Sequence, residues 1–124
     1  IPVLPEAGET GALAYPGWRE DYLAMVPPGA NWRNALPARS MLSVGRYNPV
    51  DVCDRIRCPV LLVYGSDDPG IPVGTVEAAA AKMPAARLAP YEGGHFDVYQ
   101  VRQAEFIYQQ VTFLREYLGP GPDQ

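Results

Sequence analysis

The sequence predicts an α/β fold, two parallel strands with flanking helices. Three stretches carry that prediction. Residues 60–64 are an almost unbroken apolar run, the length of a strand buried on both faces, and the run breaks at Gly65. Pro72 then restarts the chain as a helix, at the first-turn position where a missing N–H is harmless. A second strand over residues 87–91 leads to a long amphipathic helix that stops at Gly119-Pro120. A strand–helix–strand unit of this kind gives a parallel pair joined by a right-handed crossover.

Taken in order, residues 1–16 are rich in Pro and Gly without an apolar period, and read as an irregular arm. Over 18–26, Trp18, Tyr22, Met25 and Val26 share one helical face, and Pro27-Pro28-Gly29 ends that helix. Asn31 is placed to cap a second helix carrying Trp32, Ala35, Leu36 and Leu42, with a break or kink at Pro37. Tyr47-Asn48-Pro49 reads as a turn, and 50–56 as a short helical turn before the first strand, 59–64. The next helix, about 72–83, puts Val73, Val76, Ala80 and Met83 on one face and stops at Pro84. Pro90 inside the second strand argues for a sheet edge. In the last helix Val101, Ala104, Ile107, Val111, Leu114 and Leu118 form the expected buried stripe. Arg102, Glu105, Gln109, Thr112 and Glu116 lie opposite, and Phe106, Tyr108, Phe113 and Tyr117 broaden the core face. The chain has no internal repeat or low-complexity tract.

Two parallel strands leave the first with an unpaired inner edge. A run as apolar as 60–63 calls for neighbours on both sides, so the sheet is expected to be incomplete within this chain.

Composition narrows the partners. The 124 residues make one domain at most, large enough to bury a core. The net charge is −4 and the ten basic residues are scattered, so no cluster follows a phosphate backbone and nucleic acid is not an expected partner. No apolar stretch reaches the length of a membrane span, so a membrane is not expected either. Cys53 and Cys58 lack CxxC spacing and spare histidines, and read as two reduced thiols of an intracellular, cytoplasmic protein. No metal or cofactor is implied. The chain opens at Ile1 rather than Met, so it is expected to be processed or part of something longer.

The residues suited to chemistry lie at the strand ends, where open α/β sheets collect ligands and catalytic groups. Asp67 and Asp68 follow the first strand; His95, the one histidine, follows the second in Gly93-Gly94-His95-Phe96. A carboxylate bonded to one imidazole nitrogen fixes the tautomer and stabilises the imidazolium formed when the other nitrogen takes a proton. A loop Asp capping the next helix, with a histidine bonded inside a Gly-rich turn, accounts for the same residues. Trp18 and Trp32 read as packing or as pocket lining, and Asp97 as solvated or as a cap of the last helix.

The stretch Pro59-Val-Leu-Leu-Val-Tyr-Gly-Ser-Asp-Asp-Pro-Gly-Ile-Pro72 resembles the acid loop of the α/β-hydrolases, where a strand ends in Gly-x-x-Asp and a proline follows. Gly94-His95-Phe96, before a final amphipathic helix, resembles their histidine loop. The resemblance covers residues 58–118, and 16–57 are loosely similar to the end of a helical cap and its linker. It implies the C-terminal part of an α/β-hydrolase fold with a helical cap remnant. Residues 1–57 would be the N-terminal arm and cap or linker segment, and 58–124 the strand–helix–strand–helix part of the core. It implies catalytic roles for Asp68 as triad acid and His95 as triad base, with Asp67 as the neighbouring choice of acid.

The family's Gly-x-Ser-x-Gly elbow is missing. Of the three serines, Ser66 lies in the acid loop itself, and Ser40 and Ser43 have no strand before them. Ser43, in Met41-Leu42-Ser43-Val44-Gly45, reads as an ordinary helical serine. The oxyanion-hole loop is missing too, and its donors usually supply the largest electrostatic contribution, so the isolated chain is expected to be nearly inert. The expected function is the C-terminal portion of a serine-type hydrolase of a carboxylic ester, amide or similar bond in a small-molecule substrate. An N-terminal hydrolase core, from the same parent or a second chain, would complete it. Epoxide and haloalkane hydrolases share these loops with an Asp nucleophile, so the nucleophile type stays open. The alternative is a non-catalytic interaction module or relic, pairing its open strand edge with a copy of itself or a partner.

Overall fold

The computed structural model describes residues 1–119. They fall into two compact units, Ile1–Pro49 and a second that begins at Val50.

The first unit holds α1 (Trp18–Met25), a 3-10 turn (Ala38–Ser40) and α2 (Met41–Val44). The apolar face expected for α1 is present. Trp18 is buried, Tyr22, Met25 and Val26 are half-buried, and the Tyr15 and Trp18 rings meet at 4.7 Å. The arm has no regular element, yet it folds back on itself: the N–H groups of Ala12 and Leu13 donate to Pro2 O and Val3 O at 3.1 and 2.8 Å. Leu4 is the anchor, with no exposed surface. Its N–H donates to Asn34 Oδ1 and its carbonyl accepts from Asn34 Nδ2, both at 2.7 Å.

That bond set explains a correction. No helix spans residues 31–36, and Asn31 caps none. The Asn34 amide is committed to Leu4, while Leu36 exchanges bonds with Ile1 at 2.9 and 3.0 Å. Pro37 disfavours helical geometry in the residue before it, so helix begins only after it. Ser43 sits on α2 as an exposed helical serine.

A 3-10 helix (Pro49–Arg55) begins on the last residue of the first unit, and the second unit then carries β1 (Val60–Gly65), α3 (Val73–Ala80), β2 (Ala86–Tyr91), a 3-10 turn (Asp97–Tyr99) and α4 (Gln103–Leu118). β1 and β2 are parallel, with Val60 opposite Ala86 and Gly65 opposite Tyr91. This is an α/β fold. α3 packs against both strands and α4 against β1. Met83 is buried just past α3, and Pro90 lies in a strand whose one partner among the described residues is β1.

Residues 60–64 are half-buried rather than buried on both faces. Among the described residues β1 has a neighbour on one side only, and a groove of about 500 Å³ is lined by Leu61, Val63, Phe106 and Phe113.

α4 turns a different stripe to the sheet from the one expected. Val101, which precedes the helix, is 81% exposed, Leu118 is 78% exposed, and Ala104, Ile107, Val111 and Leu114 are exposed between them. The partly buried set is Phe106, Gln109 and Phe113, offset by one residue, which is about 100° around a helix. Tyr108 and Tyr117 are exposed. Two sets of contacts accompany this rotation. The large Phe106 and Phe113 rings reach a narrow sheet that cannot cover both stripes. And Glu116, expected on the far side, is drawn to β2, where the Arg87 guanidinium donates twice to its carboxylate at 2.8 Å. Arg87 also lies 5.6 Å from the Phe113 ring centre. Gly119, at φ 79° and ψ 174°, closes the helix with a positive φ that favours glycine. Pro120 of the expected stop, and the rest of the 58–124 segment, lie outside the described residues.

Candidate active site

β1 ends at Gly65 and β2 at Tyr91, in register, so the loops that follow emerge side by side. Two backbone bonds join them: Ser66 N–H donates to Tyr91 O at 2.9 Å, and Asp67 N–H to Gly93 O at 3.1 Å. Gly65 lies so close to Gly93 O that a Cβ would collide with it.

Within the acid loop the two carboxylates part. Asp67 is exposed, and its carboxylate accepts the Ser66 hydroxyl at 3.3 Å. Asp68 turns inward, its side chain 6% exposed. Its Oδ1 accepts the N–H groups of Gly70 and Ile71 at 2.8 and 3.1 Å, an Asx turn that holds the loop rather than a cap on α3, where no side-chain cap forms. Its Oδ2 lies 2.7 Å from His95 Nδ1. A carboxylate only accepts, so Nδ1 carries a proton and donates it. A buried carboxylate needs partners to offset lost hydration, and these three donors supply them.

The histidine loop is held as firmly. Gly93 has φ 149°, and a Cβ there would strike the Asp97 carboxylate. Asp97 Oδ2 accepts Gly94 N–H at 2.8 Å, and Tyr91 Oη donates to Gly94 O at 2.8 Å. Burial, then the nearby Asp68 and Asp97 charges, push the Tyr91 phenol above its usual range and keep its proton on. The His95 ring meets Phe96, itself buried, edge-on at 4.7 Å. Beside the pair is a cavity of about 300 Å³ with apolar walls that include Ile71, Val76, Val98 and Phe106.

So Asp68 and His95 are brought together, and Asp67 stands apart. Asp97, read from sequence as solvated or a cap of α4, instead braces the histidine loop; α4 has no side-chain cap. Sequence reasoning missed that role and the Tyr91 phenol. The signal for both was the Gly93-Gly94 doublet, too mobile to place a histidine without side-chain ties. Among the described residues no cluster of three or more metal-ligating side chains exists, and no helix is long and apolar enough to cross a membrane.

The fold and this geometry define an α/β protein that presents a carboxylate–imidazole pair on consecutive parallel strand ends. Among known proteins, the chain is similar to the quorum-quenching protein AidA of Acinetobacter baumannii (strain MDR-ZJ06), with 31% identity over 116 residues. The match covers 93% of this chain and 38% of the relative, so the chain spans well under half the relative's length. No family model matches, and no solved structure matches.

Proposed function

We propose that this chain supplies the acid and the base of a serine-type α/β-hydrolase acting on a carboxylic ester, amide or similar bond. The observation that carries the reading is the 2.7 Å bond between a nearly buried Asp68 carboxylate and His95 Nδ1 at paired strand ends. With Nδ1–H committed to Asp68, Nε2 is the basic nitrogen. It takes the hydroxyl proton as the nucleophile oxygen attacks the carbonyl carbon, and returns it to the leaving alcohol or amine when the tetrahedral adduct collapses. Water then enters by the same proton path and releases the acid. Asp68 stays ionised throughout and stabilises the imidazolium. The nucleophile and oxyanion donors come from a hydrolase core, as an earlier part of the same polypeptide or a second chain. The relative's name, a quorum-quenching protein, supports a quorum signal as substrate, and the apolar cavity beside His95 suits a small molecule. A cytoplasmic location fits two thiols outside any disulfide. The edge of β1 that is unpaired among the described residues supports a second reading, a non-catalytic module that pairs with its own copy.

Native mass spectrometry of the isolated material, followed by labelling with a fluorophosphonate ester probe, tests the first reading. A partner or longer parent that is labelled with native His95, and not after His95→Ala, supports it. A lone 13.5 kDa chain or self-pair that takes no label overturns it.

A further inference from the structure

We propose that Tyr91 and Asp97 are positioning residues that tie down the two peptide groups flanking the Gly94 Cα and so hold His95 on Asp68. The proposal rests on reading Asp68–His95 as the acid–base pair.

The imidazole hangs from a backbone preceded by two glycines, the residues with the widest conformational freedom. Left alone, that backbone swings the ring through positions where Nδ1 is out of reach of Asp68. Both polar groups of Gly94, the residue next to His95, instead have short side-chain bonds, and beside them the one backbone tie is the longer 3.4 Å bond from Asp97 N–H to Gly94 O. The Gly94 N–H donates to Asp97 Oδ2 and its C=O accepts from Tyr91 Oη, each at 2.8 Å. Neither tie comes from a floating group. Tyr91 is the last residue of β2, 8% exposed, and its own carbonyl accepts Ser66 N–H from the acid loop. One residue thus fastens the acid loop through its backbone and the histidine loop through its phenol. Asp97 is anchored by its carbonyl, which accepts the N–H groups of Gln100 and Arg102 at 3.1 and 2.8 Å. The Asp97 carboxylate also fills the space a side chain at Gly93 would need, so the glycine and the clamp depend on each other.

Because His95 is the one histidine, its ring nitrogens give unambiguous signals in the ¹⁵N-labelled full chain. At pH above the imidazole range, the share of neutral ring protonated on Nδ1 reports the bond to Asp68. Asp68→Asn sets the reference for a lost pair: its amide oxygen stays on the Gly70 and Ile71 N–H groups, so the NH2 faces Nδ1 and favours the other tautomer. Tyr91→Phe and Asp97→Ala are expected to lose most of the Nδ1–H share and approach that reference. Asp97→Asn, whose amide oxygen still accepts Gly94 N–H, is expected to keep the wild-type tautomer. Val98→Ala, which loosens the same turn without removing a clamp bond, is expected to keep it too. Wild-type tautomers in folded Tyr91→Phe and Asp97→Ala overturn the clamp. Tyr91→Phe, nearly isosteric, decides the matter by itself if Asp97→Ala does not fold. If Asp68→Asn leaves the tautomer unchanged, the acid–base pairing itself fails, and that outcome is distinct from failure of the clamp.

Discussion

Gly65 ends β1 directly against the carbonyl oxygen of Gly93, with no room for a Cβ between them. The two loops that carry Asp68 and His95 are therefore packed backbone to backbone. A methyl group at position 65 would also meet the Tyr91 ring at 3.1 Å.

Gly65→Ala is accordingly expected to cost about 1–3 kcal/mol through overpacking. It should also spread the two loops. Urea unfolding measures the first effect. The His95 ring signals measure the second, and an unchanged ring environment in a destabilised variant would show that the loops part elsewhere.

The Arg87–Glu116 pair gives a pH dependence with a defined sign. The Arg87 hydrogen bonds hold the Glu116 carboxyl below its ordinary range. A depressed folded-state value means that the contribution is present above the unfolded value, about pH 4.3. It is lost as pH falls through the folded one. Comparing the thermal midpoints of wild type and Glu116→Gln should show a gap near neutrality that closes on acidification. Both partners are about half exposed, so added salt should narrow the gap as well.

The two thiols differ in access. Cys53 is buried and Cys58 exposed. Iodoacetamide should modify Cys58 first, with Cys53 reacting only as the second unit opens. The Cys53 rate should rise with urea in step with unfolding, and equal rates for both thiols without denaturant would contradict the packing described.

In the first unit Leu4 and Asn34 form the central tie. Leu4→Ala is expected to remove about 2–5 kcal/mol. Asn34→Ala, which strips two bonds from a buried backbone, is expected to cost about 1–3 kcal/mol. Limited proteolysis should then cut within residues 1–49 well before it cuts the strands of the second unit.

The sequence by itself determined the order of elements from residue 50 onward. Runs such as 60–64, a proline at 72 and a glycine at 119 act locally, through burial period and allowed backbone angles, and needed no distant partner to be read. It also brought Asp67, Asp68 and His95 to the ends of neighbouring strands. The resemblance already preferred Asp68 to Asp67, and only the tertiary structure shows Asp68 turned inward to meet a residue 27 positions away while Asp67 stays exposed. The same holds for the rotation of α4, which turns Phe106 and Phe113 toward the sheet, and for the helix that does not form over 31–36, where Asn34 is taken by Leu4. Tyr91 and Asp97 belong with these. Periodicity encodes which face of an element is apolar, but contacts between elements decide which face is used, and the partners are neighbours in space rather than along the chain.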